Sequence, residues 1–154
     1  MTGARAKTLV LGLGNLLLAD EGVGVHAARA LMGCCLPGAE VQEIGTAILD
    51  ALPALKEADR LIILDAMQAE GEPGTLYRVP LEECKTSPCI ASLHGFDLSR
   101  VLALADRTDI PEVVVFGIEP ARIEWSMELS PQVEEAIPFL LEAVRQEIEG
   151  KTPG

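Results

Sequence analysis

The stretch TLVLGLGNLLLADEGVGV, residues 8 to 25, carries the signals that decide the fold. Its apolar run from Thr8 to Leu13 has strand length and no polar alternation, which is typical of a central strand buried on both faces. Two glycines then mark a turn, and Val23 begins a helix that we predict to extend to Leu36. A buried strand followed by a glycine turn and a helix indicates an α/β protein with a parallel sheet.

Strand and helix patterns continue to alternate along the chain. The other predicted strands are 40–44, 60–65, 75–79 and 112–118, and the other predicted helices are 48–55, 97–105 and one that starts at Ser130. The segment 75–79 follows Asp65 too closely for a helical crossover, so we predict that it runs antiparallel. The sequence therefore predicts a three-layer α/β/α fold with a five-stranded, mostly parallel sheet, built as one domain from residues 1–154.

The last predicted helix has a specific start signal. Ser130 is a capping residue, and Pro131 takes the first helical position, where proline is favoured. The apolar stripe of this helix is predicted to consist of Val133, Ile137, Leu141, Val144 and Ile148.

Composition narrows the classes of partner. The formal net charge is −12, which opposes binding to nucleic acid or to an anionic membrane. No apolar run approaches the roughly 20 residues of a membrane span. Asn15 interrupts the apolar stretch near the N-terminus, and Leu17 does not suit a signal-peptide cleavage site. We expect a cytoplasmic monomer with neither a nucleic-acid nor a membrane partner.

Polar residues at the carboxyl ends of the predicted strands are the candidates for function, because ligands of parallel sheets bind at that edge. Among them, Glu21, Asp65 and His94 offer two carboxylates and one imidazole, which suit a borderline divalent ion with open positions. Each also has a structural explanation. Glu21 is favoured at a helix start by the helix dipole, Asp65 could cap the next turn, and His94 could bond to backbone. These residues alone leave both interpretations open.

Two other ligand sites fit less well. A dinucleotide fingerprint needs a third glycine where Leu17 stands, and Asp20 and Glu21 would repel a pyrophosphate; Glu43 is the one residue that could imitate a ribose-binding acid. A zinc site from the four cysteines would lack any CxxC spacing.

The chain resembles the maturation endopeptidases of nickel–iron hydrogenases in four motifs. GLGNLLLADEGVG at 12–24 is similar to the family's GxGN…D[DE]GxG signature, and LDAM at 64–67 to its aspartate motif. SLHGFDLS at 92–99 resembles the histidine segment, and GIEPARIEWSMELSPQV at 117–133 resembles the GxxP…LSPxV tail. The motifs occur in the family's order and span nearly the whole chain.

The resemblance implies a protease, of aspartic or metal-dependent type, that removes the C-terminal extension of a hydrogenase large-subunit precursor after nickel insertion. Glu21, Asp65 and His94 would contact nickel that the precursor carries, so the enzyme would need no permanent metal. The precursor's own cysteines would fill the remaining positions. Asp65 or Glu21 is the expected water-activating carboxylate. A non-catalytic hydrogenase-associated or nickel-binding module on the same fold is the alternative.

Two positions depart from the family pattern. Residues 43–46 read EIGT where the family usually has DGGT or DAGT, in a segment associated with the choice of hydrogenase. Gly45 and Thr46, together with Asn15, are therefore the candidate substrate-recognition residues. Ser126 stands where a glycine is common.

Overall fold

A five-stranded sheet organises the part of the chain that the computed structural model describes, residues 7–34, 36–80, 83 and 112–150. Its strands are β1 (Thr8–Leu13), β2 (Ala39–Gly45), β3 (Arg60–Ala66), β4 (Leu76–Pro80) and β5 (Glu112–Ile118). Their spatial order is β2-β1-β3-β5-β4, and β4 pairs antiparallel with β5 whereas the other neighbours are parallel. The predicted mostly parallel sheet with one antiparallel strand is confirmed.

Helices cover both faces of this sheet. The described helices are α1 (Val23–Met32), α2 (Leu52–Leu55), which continues a 3-10 turn at Ile48–Ala51, and α3 (Pro131–Ile148). None of the described helices is both long and apolar enough to cross a membrane. The predicted helix 97–105 lies outside the described residues.

The first helix is shorter than predicted. It ends at Met32 rather than Leu36, because the backbone hydrogen bonds change there from the α-helical spacing to the shorter 3-10 spacing. The N–H groups of Gly33 and Cys34 donate to carbonyls three residues back, at 3.2 and 2.9 Å. This tightening turns the chain toward β2.

Alternate residues of the buried strands feed two separate cores, as the two-residue period of a strand requires. One face packs α2 against β1 and β3, through Leu9, Leu11, Leu55, Leu61 and Ile63. The other face packs α1 and α3 on the sheet, through Val10, Ala27, Ile62, Phe116 and Leu140. Burial on both faces explains why β1 and β3 are continuous apolar runs.

The stripe that α3 buries differs from the predicted one. Its buried residues are Val133, Ala136, Leu140, Val144 and Glu147, and the predicted members Ile137, Leu141 and Ile148 lie at its margin, partly buried. A pattern based on apolar residues could not include Glu147, whose burial depends on partners from the sheet.

Two strand residues hold Glu147 at the inner side of α3. Arg78 donates from Nε to Glu147 Oε1 at 2.8 Å and from Nη2 to Oε2 at 3.1 Å. Arg60 donates from Nη2 to Oε2 at 2.8 Å and from Nη1 to the Glu147 carbonyl at 2.9 Å. These bonds tie the C-terminal end of α3 to β3 and β4.

Glycines bring α1 into direct contact with the sheet. A Cβ atom on Gly24 would lie 2.1 Å from the Leu64 carbonyl oxygen and 2.3 Å from that of Leu13. A Cβ atom on Gly12 would lie 2.4 Å from the Gly24 oxygen. The backbone of the helix therefore lies in direct contact with the backbone of the strands, and only residues without a side chain allow this contact.

Replacing Gly24 by alanine should lower the free energy of unfolding by about 3 kcal/mol or more, because the backbone of β1 and β3 must move away from the new methyl group. Urea unfolding followed by circular dichroism measures the change. The matched control is Gly33→Ala at the C-terminal end of the same helix, where the nearest atom would lie at 3.4 Å. Equal stability of the two variants would contradict the close-approach argument.

Replacing Glu147 by glutamine should lower the free energy of unfolding by about 2–4 kcal/mol at pH 7, because two arginines lose their carboxylate. Hydrogen bonding from Arg78, and then the positive charges of Arg78 and Arg60, hold the pKa of Glu147 below its usual value. This stabilisation is complete above the unfolded-state pKa of about 4.3 and is lost as the pH falls through the lower folded-state pKa.

Denaturant titrations of the wild type and of Glu147→Gln at pH 7 and at acidic pH measure this effect. The stability difference between the two proteins should shrink on acidification. Glu142→Gln is the control, since Glu142 pairs with Arg145 on the exposed side of the same helix. Its effect should stay below about 0.5 kcal/mol. If Glu147→Gln lost no more free energy of unfolding than this control, the prediction would be contradicted.

Candidate active site at the sheet switch point

The candidate site lies where the strand order reverses. From β1 the chain crosses to β2 on one side and then to β3 on the other side, so the loops after β1 and β3 leave the sheet in opposite directions. Such a switch point creates a crevice at the carboxyl ends of the strands. Glu21 follows β1 and Asp65 is near the end of β3, so both predicted carboxylates belong to the elements that border this crevice.

The loop after β1 is shaped by its glycines and by Asn15. Gly14 has φ of +125°, and a Cβ atom there would lie 2.1 Å from the Glu21 carbonyl oxygen. The Asn15 side-chain oxygen accepts the Leu17 N–H at 2.9 Å, and the Asn15 carbonyl accepts the Leu18 N–H at 3.1 Å. The signature glycines therefore let this loop fold back on the backbone of Glu21.

Glu21 itself sits in a single 3-10 turn, Ala19–Gly22, directly before α1. Its side chain is partly exposed, whereas its neighbours Asp20 and Gly22 are buried. The partly exposed carboxylate can therefore meet a partner from outside the chain.

Asp65 differs from Glu21 in its burial. It is 2% exposed, and its Oδ1 accepts the N–H of Ala66 at 2.8 Å. This bond fixes one oxygen of the carboxylate against the backbone at the end of β3. A carboxylate held in this way is well oriented for a ligand or for a water molecule at the crevice.

The segment after β2 is joined to the glycine loop. The Gly14 N–H donates to the Gly45 carbonyl at 3.1 Å, and Gly45 has φ of +64°. Thr46, the next residue, is exposed. The predicted recognition residues Asn15, Gly45 and Thr46 thus lie on two adjoining loops at the same sheet edge.

Asp20 has a different task from Glu21. It is fully buried, and its Oδ2 accepts the N–H groups of Ala121 and Arg122 at 2.8 and 2.9 Å. Ser130 donates to it twice at 2.7 Å, from its N–H to Oδ1 and from its hydroxyl to Oδ2. Asp20 therefore fastens the loop after β1 to the loop that joins β5 and α3, which we call the β5–α3 loop (residues 119–130).

The structure corrects the predicted role of Ser130. It precedes Pro131 at the N-terminus of α3 as predicted, but its side chain makes no capping hydrogen bond to the helix. Its hydroxyl donates to Asp20 instead. The buried carboxylate needs donors, and Ser130 supplies two of them.

The two loops also pair through their backbones. Ala19 N–H donates to the Ser126 carbonyl at 2.7 Å, and Ser126 N–H donates to the Leu17 carbonyl at 2.9 Å. Ser126 accepts the Glu128 N–H on its hydroxyl at 3.0 Å. The serine that replaces a common glycine is therefore accommodated, because its side chain bonds within its own loop.

Glu119 is a site-shaping residue that sequence reasoning missed. It is 6% exposed, and its Oε1 accepts the N–H groups of Ala69 and Gly71 at 2.9 and 3.0 Å. The Tyr77 hydroxyl donates to the same oxygen at 2.7 Å. Glu119 thereby orders the loop between β3 and β4, next to Asp65. The sequence did contain a signal for this residue, namely a carboxylate directly after the apolar strand β5.

Glu43, the possible ribose-binding acid, is engaged elsewhere. Its two oxygens accept hydrogen bonds from Arg29 of α1 at 2.8 and 3.1 Å. Hydrogen bonding from Arg29 is also the main reason why the pKa of Glu43 is lowered. The pair links α1 to β2, which weakens the dinucleotide interpretation.

Two predictions concern residues outside the described part of the chain. His94 lies there, as do Cys35, Cys84 and Cys89. Within residues 7–34, 36–80, 83 and 112–150 there is no group of three or more His, Cys, Asp or Glu residues that could hold a metal ion. The joint placement of Glu21, Asp65 and His94 stays a prediction, and so does the cysteine alternative.

Comparison with known proteins identifies the family. A family model described as hydrogenase maturation protease matches residues 25–147. The chain belongs to the hydrogenase maturation protease family. The hydrogenase expression/formation protein HupD of Thiocapsa roseopersicina is 36% identical over 138 residues, which are 85% of this chain and 62% of that protein.

A solved structure and a hydrogenase subunit are also similar to this family member. The Escherichia coli hydrogenase maturating endopeptidase HybD superposes with a TM-score of 0.77 at 31% identity, covering 94% of this chain and 93% of that chain. The coenzyme F420 hydrogenase subunit delta of Methanothermobacter thermautotrophicus is 28% identical over 155 residues, 93% of this chain and 95% of that protein. The fold predicted from the resemblance is therefore the family's fold.

Asp20→Asn should destabilise this maturation-protease domain by about 2–4 kcal/mol, because the new NH2 group would face donors instead of accepting from them. Denaturant unfolding measures the loss. Hydrogen exchange at the Ala121, Arg122 and Ser130 amides should also accelerate. Glu124→Gln is the control, because Glu124 is an exposed acid on the β5–α3 loop. Unchanged exchange at those three amides in Asp20→Asn would contradict the assigned role.

Proposed function

We propose that this chain is an endopeptidase that removes the C-terminal extension of a nickel-loaded [NiFe] hydrogenase large-subunit precursor. The observation that carries the proposal is the position of two carboxylates at the two strands that border the switch point, Glu21 in the turn after β1 and Asp65 near the end of β3. Family membership supplies the class of reaction. The acidic chain suits a cationic centre better than a phosphate.

In this proposal the nickel arrives with the substrate. Glu21, Asp65 and His94 contact the metal, and the precursor's cysteine thiolates occupy its remaining positions. The protease then needs no permanent metal of its own. The partial exposure of Glu21 supports its part in the proposal, because the metal arrives with another protein.

Peptide hydrolysis needs a water nucleophile and a base. Asp65 or Glu21 accepts a proton from the water as its oxygen bonds to the scissile carbonyl carbon. The C–N bond then breaks, and the leaving nitrogen takes up a proton. Asp65 is supported by its fixed orientation at the Ala66 N–H, and Glu21 by its exposure.

The adjoining loops supply the recognition residues of the proposal. Asn15, Gly45 and Thr46 lie at the same sheet edge, and Thr46 is exposed. We infer that these residues contact the precursor near the bond that is cut. The Gly45–Gly14 hydrogen bond supports this inference, since it keeps the two loops together.

A second candidate is a non-catalytic hydrogenase-associated module on the same fold. It is favoured by one observation, the similarity over nearly the full chain to a protein named as a hydrogenase subunit. Such a module would co-purify with mature hydrogenase and would leave the precursor at its original length.

The decisive experiment mixes the purified protein with the large-subunit precursor of its own operon, prepared with and without nickel. The nickel-loaded precursor should be shortened and the nickel-free precursor should stay intact, as intact-mass measurement would show. Glu21→Gln, Asp65→Asn and His94→Ala should each slow cleavage by about 100-fold or more, because each removes a metal contact or the base.

Glu57→Gln is the matched control, because Glu57 is an exposed acid that pairs with Lys7 at the opposite end of the strands. Its cleavage rate should equal that of the wild type. Failure of the wild type to cut any nickel-loaded precursor would reject the peptidase proposal. A rate unchanged in His94→Ala would remove that residue from the site.

A further inference from the structure

Four exposed apolar side chains gather beside the candidate site. They are Leu17 at 49% exposure, Ile123 at 45%, Trp125 at 80% and Met127 at 60%. The other large apolar side chains that are exposed in the described residues stand on separate elements, namely Met32, Leu49 and Phe139. Single exposed apolar residues are ordinary, whereas a contiguous group marks an interaction surface.

The pairing of the two loops brings members of the group from both loops together. Leu18 forms a parallel bridge with Ser126, so Leu17 and Trp125 are neighbours on the same side of the pair. The buried carboxylate of Asp20 joins the two loops by hydrogen bonds. We call Leu17, Ile123, Trp125 and Met127 the apolar strip. It is an apolar surface on a rigid support.

An acidic cavity adjoins one end of the strip. Its volume is about 420 Å³, and it is lined by His26, Met127, Glu128, Leu129 and Glu134. The buried Nε2 atom of His26 has no hydrogen-bond partner in the described part of the chain. Burial, followed by the charge of Arg29, lowers the pKa of His26, so this imidazole is neutral near pH 7 and does not offset the two carboxylates.

We propose that the apolar strip and the acidic cavity together bind one segment of the large-subunit precursor, an apolar segment that carries a lysine or arginine. This proposal rests on the proposed function, since it names the surface that receives the same substrate. The apolar side chains of the segment cover Trp125 and its neighbours. The basic side chain enters the cavity between Glu128 and Glu134, where it meets two carboxylates.

Two features favour this occupant. The strip is continuous with the candidate site, because Leu17 belongs to the loop that carries Glu21. A net charge of −12 disfavours a second copy of the same chain and favours a basic segment of another protein. The cavity strengthens the second point, since two of its lining residues, Glu128 and Glu134, are acids.

The first test compares Trp125→Ala with Phe139→Ala in cleavage of the nickel-loaded precursor. Phe139 is the matched control, an aromatic residue 72% exposed in the middle of α3. Trp125→Ala should raise KM about tenfold or more with little change in kcat, as expected for an aromatic residue that becomes buried when the substrate binds. Trp125→Phe should restore part of the loss, and Phe139→Ala should match the wild type. Equal KM values for the two alanine variants would overturn the proposal.

A second test uses the fact that Trp125 is the only tryptophan of the chain. Protein labelled with 5-fluorotryptophan gives one fluorine resonance, and this resonance should shift saturably when unlabelled precursor is added. The shift should weaken in Glu128→Gln/Glu134→Gln and as salt is raised. A resonance that does not shift when precursor is added would overturn the proposal. A resonance that changes with protease concentration alone would do so as well, since the strip would then bind a second copy.

The two tests also separate this proposal from the proposed function. If the wild type cleaves the precursor while Trp125→Ala keeps the wild-type KM, the docking surface is wrong and the peptidase stands. If the wild type does not cleave but the fluorine resonance shifts saturably with precursor, the peptidase is wrong and the docking surface stands.

Discussion

The burial of the Asp20 carboxylate is the constraint on which the candidate site depends. A carboxylate without solvent must be surrounded by donors, and here four donors come from residues about a hundred positions away in sequence. Satisfying them brings the β5–α3 loop onto the loop after β1. The same contact pairs the loop that carries Glu21 with the loop that carries most of the apolar strip. One electrostatic requirement thus links the fold to the surface that we propose to bind the substrate.

Four carboxylates are buried in the described residues; one is Asp65, and the other three hold separate parts of the structure together. Asp20 joins the two loops at the carboxyl edge, Glu119 orders the loop between β3 and β4, and Glu147 anchors the far end of α3. Each accepts several hydrogen bonds, which is the condition for burying such a group without a large loss of stability. Glu21 and Asp65 are the two acids that the proposed function assigns to the ligand, and the first is partly exposed whereas the second is buried.

The division explains why the D[DE]G signature contains two adjacent acids. Neighbouring residues in a 3-10 turn face different directions, so Asp20 points into the protein while Glu21 stays partly exposed. Asp20 holds the loop, and Glu21 is the acid that the proposed function assigns to the metal of the substrate. The glycines on either side allow the backbone contacts that keep this turn in place. The two acids that argued against a phosphate loop therefore differ in burial, Asp20 being fully buried and Glu21 partly exposed.

The sequence by itself determined the succession of strands along the chain, the antiparallel direction of the strand β4 and the family resemblance, because apolar periodicity, segment length and motif spacing are local signals. It also pointed to Glu21 and Asp65, since the carboxyl ends of parallel strands share one edge. Only the tertiary structure showed the hydrogen bonds that join Ser130 to Asp20, Arg78 to Glu147 and Tyr77 to Glu119. Such pairs join residues distant in sequence. Whether an acid is buried or exposed depends on donors that only the folded chain brings to it.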